Sequence, residues 1–379
     1  MDKYKNILAE IIKGKTQWPD LKTELSKYNI HKEDTSAGKI FEVFTKYYFL
    51  TAPEHIGQYE KVWLYDDIPL KVKEKLDLGK VEHGIDLLLK SSSEEYIAVQ
   101  CKFKNDESSK LSWSSDKIAN LFAYCPKADG YIVFSNCADI DDVSKSRHDN
   151  FTFTSIGNLL ETEPSTFKNI TSLLNNEKPK AKQHFIPKEH QREAIDKCVQ
   201  KFNEGESRGQ LILPCGAGKT LTALWIKEEL KSNNTLVLVP SLALLRQTKN
   251  EWAKQRKTSY QYLCVCSEKT IDKENDSIAT RTYEIGGKVT TNPSEIISFL
   301  NRNNQEKVIF STYQSLPEII KSLKGTDINF DLVFCDEAHK TAGIDKGIFG
   351  LVHDNNQVPA KRRLYATATP RIIKESLKK

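Results

Sequence analysis

The chain has 379 residues, 39% hydrophobic and 28% charged, with 56 Lys and Arg against 51 Asp and Glu for a net charge of +5. That length fits two or three domains with their own cores and the composition excludes a disordered chain, while the mild positive charge permits a nucleic acid partner without demonstrating one. The eight cysteines form no Cys-x-x-Cys pair and read as reduced core residues of a cytoplasmic protein without structural zinc; no run nears the ~20 apolar residues of a membrane span, and MDKYKNILAEIIKGK is no signal peptide.

The first recognisable element is GKIFEVFTKYYFL (38–50), whose apolar spacing predicts an amphipathic helix carrying Glu42. Strand-like runs follow at GIDLLLK (84–90), EYIAVQCKF (95–103) and GYIVFS (130–135). Between the first two, SSSEE (91–95) is placed as a hairpin turn. Gln100 and Lys102 are two apart and share one face of their strand, and a hairpin lets Asp86 meet them. Phosphodiester hydrolysis needs oxygen ligands for magnesium and a cation near the attacking water. Asp86 offers a carboxylate, Gln100 a neutral carbonyl, Lys102 the charge, and Glu42 a second carboxylate. An edge hairpin with solvated polar residues is the competing reading. His83 reads as an exposed turn histidine, and Trp113 as packing against the sheet rather than stacking on a base.

TSLLNNEKPKAKQ (171–183) is polar, contains Pro179, and marks the domain boundary. We therefore expect a domain over 1–170, a linker over 171–184 and a second domain over 185–379. In that second domain LILP, TLVLVP, YLCVC, VIFS and DLVFCD alternate with helical stretches such as LTALWIKEELK, which predicts a parallel sheet with helices on both faces. The polar region 267–306 is the hardest to assign, although TNPSEIISFLN (291–301) has a capped helix start.

LPCGAGKT (213–220) has the strand–loop–helix context of a phosphate-binding loop, with Leu213 where the usual first glycine stands. Gly216, Ala217 and Gly218 would bring backbone N–H groups onto phosphates at a helix N-terminus, Lys219 would reach the β- and γ-phosphates, and Thr220 would complete a magnesium shell. DLVFCDEAH (331–339) places Asp336 and Glu337 at a strand end. There Asp336 would hold the magnesium and Glu337 orient the attacking water; a solvated acidic strand end is the alternative.

Taken in order, Gln191 in PKEHQREAI, PCGAGKT, VPSLALLRQ (239–247), STYQS (311–315), DEAH and ATATP (366–370) resemble the early motifs of superfamily 2 helicases, over about the last 195 residues. The resemblance implies a RecA-like lobe that uses ATP and Mg2+ to move on DNA or RNA. In it Gln191 reads the adenine, Pro240, Ser241, Gln247 and Thr312 contact nucleic acid, and Thr367 with Thr369 couple hydrolysis to that contact. The family's second lobe is not seen, so the expectation is a fragment that binds ATP–Mg weakly and hydrolyses it poorly. Asp86, Gln100 and Lys102 resemble the PD-(D/E)xK nuclease fold in its Mrr-like restriction form, where glutamine replaces the second acid. The pair of domains is similar to the start of a type ISP single-chain restriction enzyme. That resemblance implies a double-stranded DNA substrate, no membrane, and a C-terminal remainder supplying the second lobe, a methyltransferase and target recognition. A helicase–nuclease for repair or phage defence without methylation, and a DNA-binding module that does not cut, are the other readings of the same features.

Overall fold

The computed structural model describes residues 2–28, 36–79, 84–92, 94–146, 151–179, 184–267, 282–302, 306–338 and 347–368. The chain divides into two compact units, Met1–Gln183 and His184–Lys379.

The first unit opens with helices α1 (Asp2–Ile11), α2 (Trp18–Ser26) and α3 (Ser36–Thr51), followed by β1 (Tyr59–Leu64) and α4 (Leu70–Leu76). The hairpin β2 (Leu87–Ser91) and β3 (Tyr96–Lys102) comes next, then β4 (Lys110–Leu111), α5 (Ile118–Tyr124), β5 (Gly130–Ser135), β6 (Asp139–Ile140), α6 (Asp142–Ser146), β7 (Phe151–Thr154), α7 (Ile156–Leu160) and α8 (Pro164–Leu174). Its five-stranded sheet runs β1-β2-β3-β5-β7, antiparallel through the hairpin and parallel from β3 onward. Helix α3 buries Ile40, Phe41, Phe44, Tyr48 and Phe49 against Val99 and Phe134 of the sheet and Phe167 of α8. Those aromatic rings meet at centroid separations of 5–6 Å, a spacing that adds edge and tilted ring contacts to simple burial. Trp113 stacks on Phe122 of α5 at 5.4 Å.

The second unit contains α9 (Glu189–Asn203), β8 (Arg208–Ile212), α10 (Lys219–Glu229), β9 (Asn234–Val239), α11 (Leu242–Gln255) and β10 (Gln261–Val265). It continues with β11 (Val289–Thr290), α12 (Pro293–Leu300), β12 (Lys307–Thr312), α13 (Leu316–Leu323), β13 (Leu332–Cys335) and β14 (Arg363–Thr367). Its seven strands are all parallel, in the order β11-β10-β12-β9-β13-β14-β8. Strand β9 shows why such strands read as unbroken apolar runs: Val237 and Val239 enter the core beneath α10 and α11, while Leu236 and Leu238 enter the one beneath α12 and α13. The Asn292 side chain accepts the Ser294 N–H at 2.9 Å, which is the cap that starts α12.

Six strands were not anticipated, the two-residue β4, β6 and β11 among them. β1, YEKVWL, alternates charge with apolar residues, and β7 and β14 are short; each is held mainly by ladder pairing with a neighbour remote in sequence. The stretch expected to be linker from residue 171 is still helical through Leu174, because Ile170 and Leu174 are buried under α8 in the first core. No helix among the described residues is long and apolar enough to cross a membrane.

Candidate active sites

In the first unit the β2–β3 register pairs Leu87 with Val99, and one further step sets Asp86 opposite Gln100. The Asp86 N–H donates to the Val99 carbonyl at 2.9 Å, and its carboxylate accepts the Cys101 N–H at 2.6 Å. Asp86 and Gln100 are 8% and 2% exposed, so both are taken out of water. The Gln100 Nε2 donates to the Lys117 carbonyl at 3.4 Å, but its buried Oε1 has no hydrogen-bond partner among the described residues. An orphaned buried carbonyl costs about 1–3 kcal/mol, and a cation ligated there would remove that cost.

Glu42, one turn after Lys39 on α3, is also buried and takes the Lys39 ammonium at 3.0 Å. Burial pushes the Cys101 thiol well up, and the carboxylates of Asp86 and Glu42 push it further, which puts both acids around one sulfur. Lys102 has no ion-pair partner among the described residues, whereas Lys104 is paired with Asp116. This separates two lysines that the motif QCKFK presents alike. The donors are two carboxylates and a carboxamide, a set suited to a hard divalent cation such as Mg2+. No three His, Cys, Asp or Glu side chains among the described residues are placed to hold a metal ion by themselves, so the amide is needed to complete the set. The sequence reading passed over Lys39; its place three residues before Glu42 was the available signal. His83 lies outside the described residues.

In the second unit the loop after β8 turns on Gly216 and Gly218, at φ +76° and +83°. Gly218 is the residue immediately before α10, so the loop's N–H groups gather at the positive end of that helix. A Cβ on Gly218 would stand 2.3 Å from the Gln191 Nε2. Gln191 accepts the Lys188 N–H at 2.8 Å and donates to the Ala217 carbonyl at 3.0 Å, so it braces the loop from below. The Leu213 N–H donates to the Thr367 carbonyl at 3.2 Å, joining β8 to the end of β14. Leu213 itself packs in the core, which accounts for an apolar residue where a glycine is usual.

Asp336 follows β13 and is 6% exposed; its N–H donates to the Leu238 carbonyl at 2.9 Å. Burial raises its pKa; Glu337 and Glu251 raise it further, while the Glu337 N–H and the Lys219 ammonium lower it. Lys219 and Asp336 thus share one electrostatic neighbourhood at the carboxyl edge of the sheet, with Glu251 of α11 as a member that the sequence reading missed. Glu337 sits at φ +49°, a left-handed conformation uncommon outside glycine. The loop fits a triphosphate: its glycines hold conformations a side chain resists, and a lysine and a buried acid converge there.

The remaining expected positions are dispersed. The Ser241 Oγ accepts the Leu244 N–H at 3.3 Å as the N-cap of α11, next to Pro240, and Gln247 is exposed and bonded to Glu251 at 2.9 Å. The Thr220 carbonyl accepts the indole N–H of Trp252 at 2.9 Å. Thr312 is fully buried and its hydroxyl bonds Ser315 at 3.2 Å. Thr367 is buried at the end of β14, and Thr369 and His339 lie outside the described residues.

A family model described as "Type III restriction enzyme, res subunit" matches residues 184–372, and one described as "Restriction endonuclease" matches residues 50–132. The "Probable helicase A859L" of African swine fever virus is 30% identical over 183 residues in isolate Pig/Kenya/KEN-50/1950 and 31% in isolate Tick/Malawi/Lil 20-1/1983. Each match takes in 48% of this chain and 19% of the viral protein. Among solved structures, the "ATP-dependent Type ISP restriction-modification enzyme LlaBIII bound to DNA" superposes with a TM-score of 0.73 at 26% identity, over 94% of this chain and 23% of that one. The chain therefore spans about a fifth of the length of these relatives. In fold and family match, it is similar to the nuclease-plus-helicase portion of a type ISP restriction-modification enzyme, an Mrr-type nuclease domain followed by a helicase lobe of the type III res-subunit kind.

Proposed function

We propose that the chain is the nuclease and first motor lobe of a cytoplasmic, ATP-dependent restriction endonuclease that translocates along double-stranded DNA and hydrolyses its phosphodiester bonds. The observation that carries the reading is the buried Oε1 of Gln100 opposite Asp86, unbonded among the described residues, beside a lysine that has no ion-pair partner among them. Asp86, Gln100 and Glu42 would hold Mg2+, which when bound lowers the pKa of water and offsets phosphate charge. Lys102 then supplies the positive charge for the scissile phosphate, and Lys39 balances Glu42 while the site is empty.

At the second site Gly216, Ala217, Gly218 and Lys219 hold the phosphates of ATP, Gln191 sets the loop, and Thr220 with Asp336 would hold its Mg2+. Glu337 orients the attacking water. Pro240, Ser241 and Gln247 face the duplex, and Thr367 and Thr369 couple that contact to hydrolysis. A second motor lobe, a methyltransferase and a target-recognition domain come from a longer polypeptide, as the greater length of the relatives supports.

The test is nicking of supercoiled plasmid by the chain in Mg2+. Asp86→Asn keeps an acceptor for the Cys101 N–H but removes the charge, so it should slow nicking at least ~100-fold with little change in melting temperature. Cleavage by this variant at the parental rate would remove the nuclease assignment.

A further inference from the structure

Strand β3 ends at Lys102, yet the residues just past it are held as firmly as a ladder would hold them. Ser135, the last residue of β5 and fully buried, donates its hydroxyl to the Lys102 carbonyl at 2.7 Å and accepts the Cys137 N–H at 3.1 Å. Asn136, also fully buried, accepts the Lys104 N–H at 2.8 Å and donates to the Lys104 carbonyl at 2.7 Å. Its amide is also 3.3 Å from Glu107 Oε1, which accepts the Trp18 indole N–H at 2.7 Å and so ties the grip to α2. Between the two held residues, Phe103 packs on Phe41 of α3 at 5.6 Å.

We propose that Ser135 and Asn136 are positioning residues for the nuclease, fixing the backbone from which Lys102 reaches the scissile phosphodiester. The inference rests on the nuclease reading above. A strand end without ladder bonds frays, and misplacing a group that acts on the reacting atoms by about 1 Å costs on the order of 100-fold in rate. Lys102 is the last residue of β3 in register with β5, opposite Ser135, and side-chain bonds from the neighbouring strand carry the hold past that point. Lys104, in the same clasp, is paired with Asp116, whose other oxygen accepts the Ser112 N–H at 2.8 Å, whereas the Lys102 ammonium has no ion-pair partner among the described residues.

The experiment uses the whole chain, supercoiled plasmid and Mn2+ at enzyme excess, where slow nicking can be counted. Ser135→Ala and Asn136→Ala should each lower the rate constant about 10- to 100-fold while plasmid KM moves less than about threefold, and Ser135→Thr should recover most of the loss. In a Lys102→Ala background neither change should slow nicking further, because both act through the lysine. A second readout needs no metal: in EDTA, plasmid should protect Lys102 from amine acetylation, read by mass spectrometry, in the parent chain but not in the two alanine variants. Losses that multiply in the Lys102→Ala background, or parental nicking by Ser135→Ala, overturn the proposal and leave the nuclease reading standing. If Ser135→Ala does not fold, Asn136→Asp, which keeps the acceptor for the Lys104 N–H and loses the donor, enters the same cycle. A parent chain that does not nick, or nicks equally well as Asp86→Asn, overturns the nuclease reading and this inference together.

Discussion

The two units build their sites from different materials. In the second, the phosphate loop is made of backbone: two glycines at positive φ gather N–H groups at one helix end, and side chains such as Lys219 and Asp336 add charge. In the first, the backbone is ordinary strand and the site is made of side chains, Asp86, Gln100, Lys102 and Glu42, set by hairpin register and one helix. The contrast shows why one site appears as a contiguous string and the other as scattered letters. A backbone device must be spelled in consecutive residues, whereas a side-chain device can be assembled from elements far apart.

If the contrast is right, charge removal damages both sites most. Lys219→Ala should weaken binding of a fluorescent ATP analogue at least ~100-fold, because the ammonium has no substitute in the loop; retained binding would mean that the N–H groups alone suffice. Gln100→Glu should next separate metal affinity from stability. It puts an anion beside the Lys117 carbonyl, and we expect a loss of about 1–2 kcal/mol in urea unfolding without metal. Mn2+ affinity, by calorimetry, should rise about tenfold as a third carboxylate joins Asp86 and Glu42. Gly218→Ala probes the backbone device directly. Its φ of +83° and the 2.3 Å approach to Gln191 predict a cost of about 1–2 kcal/mol in unfolding, with nucleotide affinity falling in parallel. The smallest change is expected for Thr312→Val, about 1 kcal/mol for the lost bond to Ser315, with DNA affinity in a gel-shift assay unaltered.

Much of the second fold could be read in advance, because strands buried on both faces are apolar throughout and alternate with amphipathic helices. What escaped was β14, whose RLYAT mixes a buried Arg363 with apolar residues; the guanidinium is accommodated because the Val352 carbonyl, eleven residues away, accepts from it at 2.8 Å and the Val358 carbonyl accepts from it as well. In the first unit the hairpin and its three polar residues were legible from period-two spacing. The grip of Ser135 and Asn136 was not, since nothing local says that a polar pair at the end of GYIVFS will meet Lys102 and Lys104 more than thirty residues back. The burial of Thr312 was hidden for the converse reason: a threonine at a strand end looks presented to solvent until the turn after it folds back and covers it.

The bond from the Trp252 indole to the Thr220 carbonyl has a mechanical corollary. From its cap at Ser241, helix α11 reaches Trp252 eleven residues later, a rigid span of roughly 16 Å at 1.5 Å per residue. A strut pinned at its far end to the first turn of α10 makes the two loops move as one piece, so a tug on either end is felt at the other without any intervening hinge.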